Sequence, residues 1–585
     1  MTTAGIASLL PLPVVIPIGG AVAAPLVARI HRRLPLVVST IALLSATVAL
    51  AIIASRAYQG DGLVLSHFLG HWGPVNGRAL GIALAADPFG MAFALVSAAL
   101  GTLLVVSALS ELGELGPREL GSFACLVQLL IAALIGSALT ADMINLFVWF
   151  EVAALSSYGL VGFFLERPIA LEASFKMLVL TSIAGFAIFI GSSLLYADYG
   201  ALNFGQLHIM LSDHIGTAAL LALALLVTGF GTKAGIVPFH AWLPDAHSPA
   251  PGAVSALFSA LMVDLGVVAI ARIVFQVYGT GTDRPLLGLL TGLGIASALL
   301  GAVLALAQDD VKRLLAWDTV SQMGILIVGF ATATAAGIAG ATYHLINHAL
   351  FKALLFLCAG AVVHATGETS LSRMGGLARR RPLLTAAFTI GVLAIAGVPP
   401  MNGYASLGLL HEGVHESGGV GLEAATVLAQ VITVAALGRA AYLGFYRRRK
   451  GAYEHLEPLR WGMRIVLIVL GASCVAFGAL PGLVIDHVAI PAAAELLHPA
   501  SYTAGILNGS TALPHVSVSF SYLGLSHVLV AVLTVVLGIA LAVRYVRRGE
   551  PTVVRLLRVV HNGSVNDYAA FLTAGFLTAV VVLWV

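Results

Sequence analysis

The sequence predicts an all-α polytopic membrane protein with about 16 transmembrane helices. Of the 585 residues, 59% are hydrophobic and 10% are charged, whereas a soluble protein carries about 25% charged residues. Apolar runs of roughly 20 residues, the length that crosses a bilayer as a helix, recur from one end of the chain to the other. Two of these runs are interrupted by proline, near Pro238 and near Pro399–Pro400.

The connections between the apolar runs are too short to hold a soluble domain. The longest of them lie near residues 56–86, 447–461 and 482–520. The first run lacks a basic segment before it and a small-residue cleavage site after it, so we expect a retained helix. We place the spans near residues 5–29, 35–55, 87–109, 120–140, 142–165, 172–197, 214–237, 250–278, 285–307, 316–334, 337–364, 383–409, 421–446, 462–481, 521–545 and 567–585.

Basic residues collect in the loops that follow odd-numbered spans. About 22 of the 30 Lys and Arg residues lie there, with dense groups at 379–381, 447–450 and 544–548. The positive-inside rule places these loops in the cytoplasm and both termini outside. The net charge of +3 is explained by this topology and indicates no nucleic-acid partner.

The sequence predicts neither a metal site nor a cofactor site. Cys125, Cys358 and Cys474 are far apart and none has CxxC spacing, which argues against a metal centre, an iron–sulfur cluster and a disulfide framework. The glycine-rich stretch GLGIASALLG lies inside an apolar span, where it indicates helix packing rather than a dinucleotide fold.

The most informative segment is GTKAGIVPFHAWLPDAHSPAPGAVSALFSALM, from Gly231 to Met262. It places Lys233 in an apolar helix just before a proline-rich break. A charge at membrane depth is costly and is usually kept for function, and a broken helix is tolerated only where protein or a water-filled cavity covers the freed backbone groups. Together these features predict an ion path.

Glu151, in another apolar span, supplies the opposite charge. A nearby carboxylate raises the pKa of a lysine that burial would otherwise lower. If Glu151 and Lys233 pair, separating them would release the lysine proton, so the pair would act as a switch. The structural alternative is a static ion pair.

His344, His348 and Lys352 occur at positions i, i+4 and i+8 of one predicted helix. This spacing puts them on one stripe, about 6 Å apart per step. Histidine titrates near neutral pH, so the stripe is suited to relaying protons. The alternative is that these histidines hydrogen-bond to neighbouring helices and hold the bundle together.

Five further ionisable residues are possible accessory sites: Lys176, His240, Asp264, His411 and Arg439. Lys176 and Arg439 are long enough to snorkel toward the cytoplasmic ends of their helices. The second break, LAIAGVPPMNGYASLGLLHEG, interrupts a span as the first one does, and paired interrupted helices are typical of inverted-repeat transporters.

The same segments resemble a known family. NLFVWFEVAALSSYGLVGF, the Gly231–Met262 segment, DDVKRLLAWDTVSQMGIL, YHLINHALFKALLFLCAG and LAIAGVPPMNG closely resemble proton-conducting antiporter-like subunits. These subunits occur in respiratory complex I (NADH–quinone oxidoreductase), in Mrp-type sodium/proton antiporters, and in hydrogenase-4 or formate hydrogenlyase complexes. The resemblance covers roughly residues 85–445.

The resemblance implies two inverted five-helix repeats, each forming half of a proton path. We expect N-terminal helices at 1–110, the repeats at 111–280 and 281–447, and C-terminal helices at 448–585. The family's glutamate falls on Glu151 and its broken-helix lysine on Lys233. Its central relay falls on His344, His348 and Lys352.

Two positions depart from the family pattern. The charge expected just after the second break is replaced by Leu407; either His411, one turn further, is a substitute, or the path leaves elsewhere. The helix after the first break has Ser259 and Asp264 where the family often has histidine or lysine. Asp264 would reverse the local field and bind a cation, or pair with Arg439.

The leading hypothesis is a proton-translocating membrane subunit of a multi-subunit respiratory, hydrogenase or antiporter complex in the inner (cytoplasmic) membrane. The chain carries no redox centre, so any oxidoreductase chemistry would belong to partner subunits. The alternatives are a Na⁺/H⁺ antiporter module and a membrane partner that energises a soluble enzyme, as in bicarbonate uptake.

Overall fold

The computed structural model describes residues 3–75, 78–279, 284–449, 456–522, 524–561 and 563–584. Within these ranges, 15 helices are long and apolar enough to cross a membrane. The shorter apolar helix Pro382–Ile395 is the first part of the interrupted span predicted near 383–409. The all-α polytopic fold is therefore confirmed.

The N-terminal part contains four helices and two strands of a small sheet. Its elements are α1 Thr3–Ala7, α2 Leu12–Val27, α3 Leu34–Ala57, β1 Leu63–Phe68, β2 Ala83–Ala86 and α4 Pro88–Glu111. The third strand, β3 Ser510–Ala512, comes from near the other end of the chain. The sheet order is β2-β1-β3, and both pairs are antiparallel.

The central part contains two sets of helices that follow one another. The first set is α5 Pro117–Leu139, α6 Met143–Val161, α7 Pro168–Tyr199, α8 Phe204–Asp213, α9 Thr217–Ala234, α10 Trp242–His247, α11 Gly252–Leu257 and α12 Val263–Ala271. The second set is α13 Arg284–Ala307, α14 Val311–Ala331, α15 Ala335–Thr366, α16 Leu377–Arg380, α17 Pro382–Ile395, α18 Asn402–Glu416 and α19 Val420–Ala441.

The two sets share local features in the same order. The side chain of Asp142 caps α6 and that of Asp310 caps α14. The helices that come next, α7 and α15, both have 32 residues. Each set then has an interrupted helix, and each ends in a π-helical turn, at Arg272–Val277 and Tyr442–Tyr446.

Each break begins at a glycine with a left-handed backbone. Gly235 and Gly397 both have φ of 67°, a conformation that costs glycine little because it has no Cβ. The first break is held by the indole N–H of Trp242, which donates to the carbonyl of Thr232 at 2.7 Å. The second is held by Asn402, whose amide donates to Oδ1 of Asn347 at 2.9 Å. The residues of the first break are buried or half-buried, whereas Pro399 and Pro400 at the second break are exposed.

The C-terminal part packs against helices of both central sets. Its helices are α20 Trp461–Ala479, α21 Pro481–Val484, α22 Ile490–Leu497, α23 Pro499–Asn508, α24 Leu525–Arg548, α25 Thr552–Val560 and α26 Val565–Trp584. Of these, α24 packs along α19, α25 lies against α13, and α26 packs against α9 in the first set.

Two spans are buried more completely than α24 and lie at the centre of the bundle. The most apolar windows of Gly252–Val277 and Val311–Ala331 are completely buried, whereas that of α24 is 11% buried. A helix surrounded by other helices faces no lipid, so polar side chains on these two spans meet protein partners rather than acyl chains. The spans that carry Asp264 and Asp318 therefore form the interior.

Candidate functional site

A line of ionisable and polar side chains runs along α15 through the centre of the protein. His344, His348 and Lys352 are all fully buried. Their spacing of one turn puts the three side chains on one stripe of the helix. Every one of the three has a polar partner from another helix.

Lys352 meets a carboxylate on α14. Its ammonium donates to Oδ2 of Asp318 at 2.5 Å and to the carbonyl of Leu315 at 3.0 Å. Both side chains of the ion pair are fully buried. Two charges removed from water are tolerated only when they are paired and hydrogen-bonded, so Asp318 is what allows a lysine at this depth.

His348 meets Asp264, one turn toward the N-terminal end of α15. Nδ1 of His348 lies 2.9 Å from Oδ1 and 3.2 Å from Oδ2 of the carboxylate. The two groups share one proton: Nδ1–H donates to an ionised carboxylate, or a protonated carboxyl donates to Nδ1. Asp264 and His348 therefore form a second buried pair beside Lys352 and Asp318.

The expected pairing of Asp264 with Arg439 is wrong. Arg439 donates to the carbonyl of Gln308 and lies over the ring of Tyr545, 5.3 Å from its centroid. These contacts hold its guanidinium near the ends of α13 and α19, whereas Asp264 faces α15. The side chains of Asp264 and Arg439 therefore do not meet.

His344 connects α15 to the second broken helix. Its Nδ1 lies 3.0 Å from Oγ of Ser406 on α18, and its Nε2 lies 2.9 Å from Oε1 of Gln322 on α14. Neither Ser406 nor Gln322 is ionisable, yet both place a hydrogen-bonding group on the imidazole. The line of side chains on α15 thus ends against the helix that carries Leu407 and His411.

Glu151 and Lys233 lie in the first set without direct contact. Oε1 of Glu151 and Nζ of Lys233 are buried, and neither atom has a hydrogen-bond partner among the described residues. The carboxylate of Glu151 still acts electrostatically on Lys233. The separated arrangement is one of the two states that the predicted switch requires.

A glycine on α7 makes room for the Glu151 carboxylate. A Cβ at Gly185 would collide with Oε1 of Glu151. One residue earlier, the carbonyl of Ala184 approaches Gly229 on α9, where an added Cβ would lie 2.7 Å away. α7 therefore packs between the helices of Glu151 and Lys233.

Lys176 belongs to an ionic cluster at the end of α7 rather than to the buried line. Its ammonium lies 2.5 Å from Glu172 and 3.8 Å from Asp245. Asp245, in the first break, also contacts Arg313 at 3.0 Å. The position near charged partners at the end of the helix agrees with snorkelling.

His240 lies in the first break and is buried. Its Nε2 is 3.1 Å from Nε2 of His561 in the turn between α25 and α26. The ring of Trp317 lies 5.3 Å from the ring of His240, centroid to centroid. His240 thus faces the C-terminal helices, a contact that no local sequence pattern indicates.

Leu407 and His411 line one cavity beside α18. The cavity has a volume of about 330 Å³ and is also lined by Glu412, Glu423 and His527. Nε2 of His527 lies 3.6 Å from Glu412. One side of the apolar Leu407 thus faces a cavity that titratable groups also line.

Sequence reasoning missed Asp318, Gln322 and Ser406. The span expected near 316–334 placed Asp318 at its edge, whereas α14 begins at Val311 and puts Asp318 in its third turn. A usable signal was present: Asp318 follows the cap Asp310 by eight residues, much as Glu151 follows the cap Asp142 by nine. Gln322 and Ser406 carry no charge, so no cost of burial marks them.

A second buried network that the sequence did not indicate lies beneath the small sheet. Arg272 donates to Oδ2 of Asp87 at 2.9 Å and to the hydroxyl of Tyr502 at 3.1 Å. Glu495 accepts from the backbone N–H of Phe89 at 2.8 Å. The network joins α4, the end of the α11–α12 span and the segment before β3, so it fixes the C-terminal part onto the core.

The described residues hold no group of three or more His, Cys, Asp or Glu side chains placed to bind a metal ion. The three cysteines are unpaired, and Cys358 and Cys474 are buried.

Comparison with known proteins identifies the family of this chain. Residues 140–433 match the family described as NADH:quinone oxidoreductase/Mrp antiporter, TM. The chain is 34% identical to NADH-quinone oxidoreductase subunit N of Desulforudis audaxviator over 448 residues, which cover 76% of this chain and 86% of that protein. The chain belongs to this family. The matched residues include Glu151, Lys233, Asp264, Asp318 and the α15 side chains.

Other members of the NADH:quinone oxidoreductase/Mrp antiporter family are similarly related. The chain is 30% identical to a Na⁺/H⁺ antiporter protein of Bacillus subtilis, one of the subunits of that antiporter, over 430 residues. The match covers 73% of this chain and 86% of that protein. The resemblance predicted from the motifs is therefore confirmed.

Solved structures of this family share the fold. A chain of the Mrp complex from Dietzia sp. DQ12-45-1b has a TM-score of 0.77 and 25% identity, with 87% of this chain and 100% of that chain covered. A chain of the membrane-bound sulfane sulfur reductase, an archaeal respiratory membrane complex, has a TM-score of 0.78 and 26% identity, with 85% and 99% covered. Both are subunits of multi-subunit membrane complexes.

Proposed function

We propose that this chain moves protons across the membrane as one subunit of a multi-subunit complex. The observation that carries the proposal is the line of paired side chains on α15. Lys352 with Asp318 and His348 with Asp264 are buried acid–base pairs on successive turns. Proton transfer within such a pair either neutralises two charges or creates two charges. Each pair is therefore sensitive to the charge of the neighbouring pair.

The path begins at Glu151 and Lys233. With Nζ of Lys233 unpaired, the lysine can release its proton toward the centre. When the two side chains approach, the carboxylate stabilises the charged ammonium. The distance between Glu151 and Lys233 therefore decides when the lysine holds a proton.

Asp264 changes the charge at the centre of the path. A carboxylate at this position holds the proton on Nδ1 of His348, and Lys352 already pairs with Asp318. The relay thus passes a proton between the imidazole of His348 and the amine of Lys352, with the carboxyl groups of Asp264 and Asp318 beside them. The row of hydrogen-bonding side chains continues from α15 to α18 through His344, Ser406 and Gln322.

We propose that the path leaves through the cavity beside Leu407. His411 takes the place of the missing charge, and Glu412, Glu423 and His527 line the way out. Under the positive-inside topology this cavity faces the outside of the cell and both termini lie outside, in the inner (cytoplasmic) membrane.

The repeats are proposed with boundaries at 111–280 and 281–447, between N-terminal helices at 1–110 and C-terminal helices at 448–585. The repeated order of caps, long helices, breaks and π-helical turns supports this division. It places Lys233 in the first half-path and Leu407 in the second.

The test is proton uptake by vesicles that hold the complex purified through this chain. We expect Lys233→Ala and Lys352→Ala to abolish coupled uptake while the complex still assembles. Co-purification of the other subunits is the control for assembly. Normal uptake in both variants would rule out the proposed path.

A Na⁺/H⁺ exchange activity is the second candidate. Its support is the likeness to the Na⁺/H⁺ antiporter protein of Bacillus subtilis and to the Mrp complex. The same vesicles separate the two functions, because exchange requires proton uptake to depend on sodium inside the vesicle, whereas a proton path alone does not. Identification of the co-purified subunits shows whether a soluble redox or other enzyme module is attached.

A further inference from the structure

Three arginines line a cavity between α17 and α20. Arg380 is the last residue of α16, Arg381 directly precedes α17, and Arg464 is the fourth residue of α20. The cavity has a volume of about 230 Å³. Its other lining residues are apolar, namely Pro382, Leu383, Leu384 and Leu459. Among the described residues, the lining thus combines three positive charges with apolar side chains and contains no acidic group.

The guanidinium groups of Arg380 and Arg464 are open to a ligand. Both residues are exposed, and neither guanidinium makes a hydrogen bond or an ion pair with another described residue. The guanidinium of Arg381 donates to the main-chain carbonyl of Glu457, which holds it at the edge of the cavity. Because each guanidinium carries five N–H donors, most of the donors at this cavity have no partner in the described part of the chain.

Neighbouring arginines are used by the protein itself. Arg447 donates to main-chain carbonyls of the segment 371–374. Arg460, one turn before Arg464, pairs with Glu114 at 3.5 Å. These arginines stabilise the fold through partners within it, whereas two of the three at the cavity keep their donors free.

Arg464 lies at the edge of the membrane, on the exposed side of the span Trp461–Ala479. Trp461 and Ile468, which share one face of α20 with Arg464, are 66% and 55% exposed. An exposed tryptophan at the end of a span is typical of the membrane–water interface. A guanidinium at this depth is costly beside acyl chains and is stabilised by the phosphates of lipid head groups.

Exposed apolar side chains continue from the cavity into the depth of the membrane. Ile465 and Val469 are exposed on α20, and Ala386 is exposed on α17. The two helices then close on each other, since a Cβ at Gly471 would lie 3.6 Å from Cδ1 of Ile390. From Arg464 to Gly471 the helix rises about 10 Å. A charged cavity at the interface with an apolar surface below it has the form of a phospholipid site.

We propose that this cavity binds the phosphodiester head group of an anionic membrane lipid, such as phosphatidylglycerol, with the acyl chains along α17 and α20. Arg380 and Arg464 donate to the phosphate oxygens, because a guanidinium pairs with phosphate through two parallel hydrogen bonds. A zwitterionic lipid fits less well, since its ammonium group would lie among three positive charges. α17 is the first half of the second interrupted helix, so the lipid fastens that half to α20. The inference does not rest on the proposed function.

The experiment uses the complex purified through this chain, in vesicles of phosphatidylcholine with a trace of phosphatidylglycerol that carries a photoreactive diazirine in its acyl chain. Mass spectrometry gives the labelling of residues 465–469 relative to that of α24, whose most apolar window is 11% buried and which reports bulk lipid. This ratio is expected to be at least about tenfold higher for phosphatidylglycerol than for phosphatidylethanolamine with the same diazirine. Arg380→Gln/Arg464→Gln is expected to lower it by about tenfold or more, because the attraction of two arginines is lost.

Arg379→Gln/Arg448→Gln is the matched control. It removes the same number of charges from exposed residues that do not line the cavity, and it is expected to keep the labelling ratio of the unchanged protein. The Arg380 and Arg464 side chains make no contact that holds the fold, so both double variants are expected to assemble, with co-purification of the other subunits as the check.

Four results would each overturn the lipid site. Equal ratios for phosphatidylglycerol and phosphatidylethanolamine would show that the unchanged protein does not select an anionic lipid. Equal loss in both double variants would mean that the general surface charge attracts the lipid. No labelling of residues 465–469 in the intact complex would mean that another subunit covers this surface. Loss of labelling in excess inorganic phosphate would indicate a site for the free ion.

Discussion

The ammonium of Lys352 on α15 lies 2.5 Å from Oδ2 of Asp318 on α14, and both side chains are fully buried. The two helices belong to the second set, in which Asp318 follows the cap Asp310 by eight residues, much as Glu151 in the first set follows the cap Asp142 by nine. In the first set the carboxylate and the lysine are apart, whereas in the second they touch. The buried lysines of the two sets therefore differ in whether a carboxylate touches them.

Removing the carboxylate from the touching pair is expected to destabilise the protein. Asp318→Ala leaves the charge of Lys352 buried without a partner, which costs about 3–5 kcal/mol. The measurement is the free energy of unfolding in detergent, with Asp318→Ala/Lys352→Met as the matched variant. The double variant is expected to regain much of the stability but no proton uptake; equal loss in both would contradict the pairing.

Filling the space beside Glu151 is expected to block the first half-path. Gly185→Ala puts a methyl group where Oε1 of Glu151 lies, and a displacement of about 1 Å at a reacting group lowers a rate by up to about 100-fold. The control is Gly438→Ala on α19, where an added Cβ meets nothing within 4 Å. Proton uptake is the measurement, and equal uptake in both variants would show that the Glu151 position is unimportant.

The partner of Asp264 can be decided by double-mutant cycles. Asp264→Asn and His348→Gln are expected to be coupled by about 0.5–3 kcal/mol in the free energy of unfolding, because the two side chains are in contact. Asp264→Asn and Arg439→Gln are expected to be additive within about 0.5 kcal/mol, because they are not. Coupling in the second cycle together with additivity in the first would show that Asp264 pairs with Arg439 and not with His348.

The cavity at the second break predicts different effects for two substitutions. His411→Ala is expected to slow proton uptake, because it removes the imidazole that lines the cavity beside Leu407. Leu407→Lys is expected to retain uptake, because Glu412 and Glu423 line the same cavity and can neutralise the new charge. Val530→Ala, a neutral change in the cavity wall, is the control. Unchanged uptake in His411→Ala would exclude His411 from the way out.

The sequence alone determined the fold class and the order of its parts. A 20-residue apolar run can only cross the bilayer as a helix, because the backbone must satisfy its own hydrogen bonds there. Lys233, Glu151, His348 and Lys352 were found for the same reason: a buried charge costs so much that its presence in an apolar run is conspicuous.

Only the tertiary structure decided which of these groups meet. Asp264 faces His348 and not Arg439, since helix packing rather than position in the chain sets the partners. Ser406 and Gln322 leave no mark in the sequence, because an uncharged polar residue is cheap to bury once it is hydrogen-bonded. His561 reaches His240 across 321 positions, because α26 folds back onto α9, a long-range contact that no local pattern encodes.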